Sequence, residues 1–219
     1  MKATTVVARC TTPDGFPMLL QEHDGDFFLK VDGVTLMSTT ATASEATLAE
    51  LGCARGAGRV LIGGLGFGFT LKRVLELVPS HAEIVVAELL PEIPAWNRQH
   101  LSEVNGRYLD DPRVQLVIGD VADRIAQASG GGFDAILLDV DNGVDALVAG
   151  GNQRLYGRGG LRRIKSALSP RGRVVFWSAH RDKAFEALLE KEFRQVETVG
   201  AKAYPQAKRF SHTLFVADR

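Results

Sequence analysis

Short apolar runs alternate with amphipathic stretches along most of this chain. Five runs have the continuous apolar character of strands that are buried on both faces, and they lie at 60–62, 84–87, 114–118, 135–138 and 174–177. Segments with helical spacing fill the gaps, at 70–78, 93–101, 121–128, 160–168 and 182–192. Buried strands that are joined by helices form a parallel sheet with helices on both faces. The pattern therefore predicts an α/β fold of the Rossmann-like type.

The two ends of the chain depart from this alternation. Residues 27–31 and 34–37 are short apolar runs around Asp32-Gly33, a dipeptide typical of a β-hairpin turn. Thr42 and Glu45 have the spacing of a capping box, which predicts a helix from there to about residue 53. We therefore divide the chain into an N-terminal hairpin element and helix, 1–55, and a Rossmann-like domain, 56–219.

The C-terminal part predicts the remaining strands. Residues 169–172, Ser-Pro-Arg-Gly, have the composition of a tight turn that leads into the fifth strand. Residues 195–199 and 212–217 are two more apolar runs with no helical segment between them. They predict an antiparallel pair at the edge, which makes a seven-stranded sheet.

Composition limits the classes of function. The 219 residues are 45% hydrophobic, enough for one compact core with a small appendage. The 26 basic and 26 acidic residues balance, so no overall field attracts nucleic acid or an anionic membrane. No signal peptide or membrane span is evident, so we expect a cytoplasmic protein. Cys10 and Cys53 are not spaced for a zinc site, and we interpret them as free structural thiols.

Gly64-Leu65-Gly66-Phe67-Gly68 lies between the first buried strand and the first helix of the alternating region. A glycine loop at this position lets a ligand approach the backbone and meet the N–H groups that begin a helix. Nucleotide-like ligands bind at such loops. The sequence therefore predicts a cofactor that contains adenosine.

Acidic residues end the next two strands, where ligands bind in an open parallel sheet. Glu88 follows the glycine loop by about 20 residues, the usual distance of an acid that accepts both ribose hydroxyls. Its alternative is a solvated acid. Asp120 could accept from an adenine amino group, cap the helix that follows, or do both. With their neighbours Leu89 and Val121, these acids complete the predicted cofactor site.

Asp139 and Asp141 end the fourth strand, and two carboxylates there could hold and deprotonate an amine. A turn that uses Asp and Asn for its own backbone is the alternative. His180 is either a general base or a surface histidine, and Trp177 is close enough to line the site. The histidines show no ligand spacing, so we expect no metal. The basic residues between 154 and 165 are interpreted as a solvated helix face.

These residues together resemble the spermidine synthase (polyamine aminopropyltransferase) branch of the class I S-adenosylmethionine-dependent methyltransferase fold. The similarity rests on the glycine loop, Glu88, the segment 111–120 with Asp-Pro-Arg-Val and Gly-Asp, and 136–139. It implies that the glycines surround the thioether end of S-adenosylmethionine or decarboxylated S-adenosylmethionine. It also implies that Asp139 activates the attacking amine, that Tyr204 lines the acceptor pocket, and that the protein is a homodimer.

Three departures from that family's pattern concern the acceptor. Phe67 stands where spermidine synthases have an aspartate that holds the amino group of decarboxylated S-adenosylmethionine. The acidic and tyrosine-rich segment that grips the polyamine is replaced by 41–46, in which only Glu45 is charged. After the fifth strand, Trp177-Ser178-Ala179 stands where that family has polar residues. These changes argue against putrescine as the substrate.

The leading hypothesis is a transferase that moves an aminopropyl or methyl group to a small nucleophile. Methyl transfer to a small molecule is one alternative. Nicotinamide-dependent redox chemistry is disfavoured because Phe69 stands where the dinucleotide fingerprint has its third glycine. A catalytically silent binding or interaction module is an alternative of a different class, since fold does not determine function.

Overall fold

Two β-sheets and the helices around them make up the part of the chain that this computed structural model describes, residues 3–128, 132–140 and 153–219. The first sheet is an antiparallel meander of four strands in chain order, β1 Thr5–Thr11, β2 Pro17–His23, β3 Asp26–Val31 and β4 Val34–Ser38. The predicted hairpin at Asp32-Gly33 is confirmed as β3 and β4, with positive φ at both turn residues.

Strands β1 and β2 were not predicted, although a second Asp-Gly dipeptide marks the hairpin that joins β2 to β3. Asp24 and Gly25 have φ of 54° and 88°. In β2, Met18 and Leu20 are buried while the residues between and beside them are more exposed. The appendage is therefore a small sheet with one apolar face, and it is larger than the predicted hairpin.

Helix α1, Ala43–Cys53, begins where expected, but the predicted capping box is wrong. The Thr42 side chain makes no capping hydrogen bond. The hydroxyl of Ser44 instead donates to Oε2 of Glu45 at 2.5 Å. The glutamate thus takes a side-chain partner from the preceding residue, and no bond from the Thr42 side chain completes the box.

The second sheet confirms the predicted mostly parallel, seven-stranded architecture. Its order is β10-β11-β9-β8-β5-β6-β7, and β11 runs antiparallel between β9 and β10. The chain leaves β5 toward one edge for β6 and β7 and returns to the other side for β8, so strand order reverses between β5 and β8. The strands are β5 Arg59–Gly63, β6 Glu83–Glu88, β7 Val114–Ile118, β8 Phe133–Leu138, β9 Leu168–Ser178, β10 Gln195–Ala201 and β11 His212–Asp218.

Helices cover both faces of this sheet, as the apolar strands predicted. The described helices after α1 are α2 Phe69–Leu77, α3 Glu92–His100, α4 Val121–Gln127, α5 Gln153–Tyr156, α6 Arg158–Ala167 and α7 Lys183–Glu192, with a 3-10 turn at Gly106–Asp110. Alternate strand residues enter two apolar cores. Ile62 packs with α1, α2 and the N-terminal sheet, whereas Leu61 packs with α4, α6 and α7. None of these described helices is both long and apolar enough to cross a bilayer.

The tight turn predicted at 169–172 is wrong, because these residues lie within β9 and form a four-residue bulge. Phe133 of β8 pairs with Leu168, but the next paired residue, Ala135, faces Arg173. Four residues of β9 therefore lie opposite the single residue Asp134. A Cβ on Gly172 would lie 2.8 Å from the carbonyl oxygen of Phe133, so a glycine allows the bulge to close against β8.

Candidate functional site

The glycine loop occupies the point where strand order reverses. Gly64, Gly66 and Gly68 have φ of 85°, 52° and 79°, which L side chains rarely adopt. Gly68 is the N-cap residue of α2. A Cβ on Gly64 would lie 2.3 Å from the carbonyl oxygen of Asp139. The loop therefore needs glycine both for its backbone conformation and for its close approach to the end of β8.

Glu88, at the end of β6, fastens this loop. Its side chain is buried, and Oε2 accepts from the N–H of Leu65 at 2.9 Å while Oε1 accepts from the N–H of Leu90 at 2.9 Å. The solvated-acid alternative is therefore wrong. A carboxylate has about four acceptor positions, so these two bonds are compatible with a ribose contact.

Asp120 follows β7 and caps α4. Its Oδ1 accepts from the N–H of Ala122 at 2.7 Å, which confirms the capping interpretation. Its Oδ2 accepts from Arg154 at 2.8 Å, and the same guanidinium pairs with Asp123. The adenine contact stays a prediction. The partner Arg154 was expected only on a solvated helix face.

These strand ends line a cleft of about 880 Å³, counted to its open mouth, which we call the first cavity. Of the predicted cofactor residues, the first cavity brings together Gly64, Gly66, Glu88, Leu89, Asp120, Val121 and Asp139. The N-terminal sheet closes it with four side chains that the sequence analysis missed, Met18, Leu29, Leu36 and Met37. Leu29, Leu36 and Met37 belong to the predicted hairpin and Met18 to the unpredicted strand β2, and the sequence did not say which core any of them would face.

A second cavity of about 580 Å³, counted to its open mouth, lies beside the first and is also lined by the glycine loop. Its wall includes Glu45, Phe67, Trp177 and Asp139, which were predicted, and Thr70, which was not. The two cavities share Leu36, Met37, Gly66 and Asp139. Asp139 is thus the acidic side chain at their junction, where a group held in one cavity would meet a molecule held in the other.

Asp139 is held from two sides. Its backbone N–H donates to the carbonyl of Gly63 at 2.9 Å. Its Oδ2 accepts from the hydroxyl of Thr70, the second residue of α2, at 3.0 Å, and Thr70 is almost fully buried. The other predicted catalytic residue, Asp141, lies outside the described residues.

Glu45 reaches the second cavity from α1. Burial raises the pKa of its carboxyl above the ordinary value of 4.5, and the hydrogen bond from Ser44 opposes that rise. The second cavity therefore holds two carboxyl groups among apolar walls, among them Phe67, Phe69 and Trp177. A small molecule with a cationic group would be attracted there.

The remaining candidates lie farther out. Tyr204 is 47% exposed in the loop between β10 and β11, and it lines neither cavity. Its role in acceptor binding stays a prediction. His180 is exposed just after β9. The ring of Trp177 lies against His212, with centroids 4.9 Å apart, and burial lowers the pKa of that histidine.

The cysteines and possible metal ligands form no further centre in the described part. Burial raises the pKa of Cys53 to about 11, and burial together with the charge of Glu92 does the same for Cys10. Within 3–128, 132–140 and 153–219, no three His, Cys, Asp or Glu side chains are grouped to hold a metal ion.

Comparison with known sequences confirms the resemblance to the spermidine synthase branch. The chain is 35% identical over 117 residues to a polyamine aminopropyltransferase of Aeropyrum pernix, covering 53% of this chain and 36% of that one. It is 31% identical over 147 residues to polyamine aminopropyltransferase 1 of Hyperthermus butylicus, covering 66% and 49%. The matches thus span about a third to a half of these relatives. No protein-family model matches the chain.

Comparison with solved structures confirms the fold over nearly the whole chain. A spermidine synthase in complex with the transition state analogue AdoDATO superposes with a TM-score of 0.79 at 20% identity, over 97% of this chain and 73% of that one. The spermidine synthase of Thermotoga maritima gives 0.76 at 18% identity, over 97% and 72%. Human methyltransferase-like protein 13, in complex with SAH, gives 0.58 at 21% identity, over 79% and 78%.

Proposed function

We propose that this chain is a transferase that binds S-adenosylmethionine or its decarboxylated form and transfers an alkyl group to a small nucleophile. The observation that carries the proposal is the position of Asp139, which lies at the junction of the two cavities. The named relatives are polyamine aminopropyltransferases, which supports aminopropyl transfer as the reaction.

The residues of the first cavity fit an adenosyl sulfonium compound. A Cβ on Gly64 or Gly66 would intrude on neighbouring atoms at 2.3 Å and 3.0 Å, so the loop offers bare backbone where the ligand would lie. Glu88 would hold the ribose and Asp120 the adenine, with Leu89 and Val121 beside them. The cofactor, when bound, supplies the electrophilic carbon. The N-terminal sheet limits the access of water to it.

Asp139 would prepare the acceptor. An amine is cationic at neutral pH and cannot attack until it loses a proton, and a carboxylate beside it can accept that proton. The hydroxyl of Thr70 holds Oδ2 in place. Orientation of the two partners supplies the rest of the rate enhancement.

The acceptor, in this proposal, is a small nucleophile other than putrescine. The support is the wall of the second cavity, where Phe67 replaces an acid of the resembled family and Trp177 and Phe69 add apolar surface. Glu45 would bind a cationic group of the acceptor, with Trp177 beside it and Tyr204 at the outer loop. Assay of a panel of amines tests this part, and a preference for putrescine would contradict it.

Methyl transfer is the second candidate, and Phe67 favours it. Its side chain is 4% exposed and offers no carboxylate to pair with the ammonium that the decarboxylated cofactor carries at its propyl end. Calorimetry with S-adenosylmethionine, its decarboxylated form and methylthioadenosine distinguishes the two reactions. Tighter binding of S-adenosylmethionine favours methyl transfer, and tighter binding of the decarboxylated form favours aminopropyl transfer. Failure of all three to bind would remove both candidates.

Replacement of Asp139 with Asn separates an enzyme from a silent binding module. We expect methylthioadenosine to bind the variant as it binds the parent, because Asn keeps the size of the side chain. Turnover should fall by about 10²- to 10⁴-fold, the usual contribution of a proton acceptor. Unchanged turnover in Asp139→Asn would contradict the assigned role. The expected homodimer and cytoplasmic location stay predictions.

A further inference from the structure

A third cavity opens at the opposite end of the parallel sheet from the glycine loop. It lies at the beginnings of β8 and of the paired part of β9, next to the end of β11, and its volume is about 1470 Å³ counted to the mouth. Asp134 lies near the beginning of β8 and Asp139 directly follows its end, five residues later, which places the two ends roughly 16 Å from each other. This cavity is therefore separate from the candidate active site.

Arginine dominates the wall of this cavity. Five guanidinium groups face two carboxylates, so the side chains carry three excess positive charges. We call the cavity the arginine basin, and its arginines are Arg55, Arg171, Arg173, Arg194 and Arg219. The chain as a whole has no net charge, so this excess is a local property of one surface.

Both carboxylates already have structural partners. Asp134 accepts from the backbone N–H groups of Gly58 and Arg59 at 2.9 and 3.1 Å and from the hydroxyl of Ser169 at 2.9 Å. Asp218, which is 5% exposed, accepts from Arg55 and Arg173, each at 2.8 Å. These acids therefore fix the basin and leave other arginines to a ligand.

Two arginines of the basin have no such partner. The side chains of Arg171 and Arg194 are exposed and make no hydrogen bond or ion pair within the described part of the chain. Arg171 and Arg173 are two residues apart in β9, and both line the basin. The backbone N–H of Arg194 donates to the carbonyl of Asp218 at 3.0 Å, which holds the start of β10 against the same rim.

We propose that the arginine basin binds a small anion with several phosphate groups. Guanidinium groups match the geometry of phosphate oxygens and donate paired, charge-assisted hydrogen bonds to them. Anchored arginines lose little freedom on binding, and Arg55 and Arg173 are held in advance by Asp218. Five guanidinium groups around one basin offer contacts to more than one phosphate group.

Isothermal titration calorimetry with inorganic tripolyphosphate at low ionic strength tests the proposal. We expect one ion per chain, with affinity that falls as salt is added. The double variant Arg171→Ala/Arg194→Ala should bind at least about 10-fold more weakly, because two charge-assisted contacts are lost. Both side chains are exposed, so thermal unfolding without the ligand should be unchanged.

The matched control removes the same charge elsewhere. Arg9→Ala/Arg163→Ala replaces two exposed arginines that do not line the basin, and its affinity should equal that of the parent. Absence of saturable binding, or equal weakening in both double variants, would overturn the proposal. Citrate that binds as tightly as tripolyphosphate would overturn the assignment to phosphate.

Discussion

Glu88 holds the glycine loop in place through hydrogen bonds, and it is also a predicted ligand-binding residue. We expect Glu88→Gln to lower the free energy of unfolding by about 1–3 kcal/mol without any ligand, because one of two charge-assisted bonds to backbone N–H groups is lost. Glu83→Gln, at the exposed beginning of the same strand, is the matched control and should cost under about 0.5 kcal/mol. Urea unfolding measures both. Equal effects would show that Glu88 does not fasten the loop.

Glu45 gives stability a dependence on pH. Because burial raises its pKa in the folded state, the folded chain holds the proton more tightly than the unfolded chain does. Ionisation of Glu45 therefore costs stability as pH rises above the ordinary value of 4.5. Glu45→Gln should be more stable than the parent at pH 7, and this advantage should shrink toward pH 4. The exposed Glu190→Gln is the control, and a constant difference for Glu45→Gln at all pH would contradict the assigned burial effect.

The residues that sequence could identify are those whose position follows from local pattern alone. Glu88, Asp120 and Asp139 each end an apolar run, and the carboxyl ends of parallel strands share one edge of a sheet. Thr70 and Met37 could not be found in this way. Thr70 reaches Asp139 across 69 residues of sequence, and Met37 reaches the glycine loop from another sheet.

At the scale of elements, the turn from β5 into α2 depends on the absence of a side chain. Gly64→Ala meets both an unfavourable φ of 85° and the carbonyl of Asp139, and we expect it to lower the free energy of unfolding by about 3 kcal/mol or more. Gly33→Ala, with φ of 79° in open space, meets only the backbone cost of about 1–2 kcal/mol. Urea unfolding of both variants compares them. Equal losses would mean that the loop can move away from β8.

The strands and helices of the parallel sheet were predictable because their apolar runs are long and their connections follow one scheme. The failures were local. The bulge at 169–172 has the Pro and Gly of a turn, and only its pairing with β8 shows that the strand continues through it. The Thr-x-x-Glu spacing predicted a capping box, but the Glu45 carboxylate accepts from the neighbouring Ser44 hydroxyl instead.

At the scale of the whole molecule, the N-terminal sheet and the parallel sheet share one apolar core. Met18, Leu20 and Leu29 belong to the same buried cluster as Val60 and Ile62. We therefore expect one cooperative unfolding transition, even though the chain was divided at residue 55 from its sequence. Tryptophan fluorescence and far-UV circular dichroism in urea should give coincident curves. Two separated transitions would show that residues 1–55 fold as an independent unit.

Sequence could not place the N-terminal sheet over the cofactor site. Alternation in β2 and β3 shows that one face is apolar, but the partner of that face is chosen by contacts between distant parts of the chain. The cover that the N-terminal sheet forms over the first cavity, and the position of Asp139 between two cavities, are therefore properties of the folded molecule as a whole.

Because of the bulge in β9, the number of residues at 169–172 does not determine how the rest of β9 pairs with β8. The pairing of β8 with β9 resumes at Ala135 and Arg173 and continues in step to Leu138 and Phe176, whatever the chain does before it. Residues inserted between Pro170 and Arg171 would consequently change the outline of the arginine basin without shifting the ladder that ends just before Asp139. A peptide or an affinity tag grafted there would disturb the arginine basin, but it would lie at the far end of the sheet from the proposed transfer chemistry.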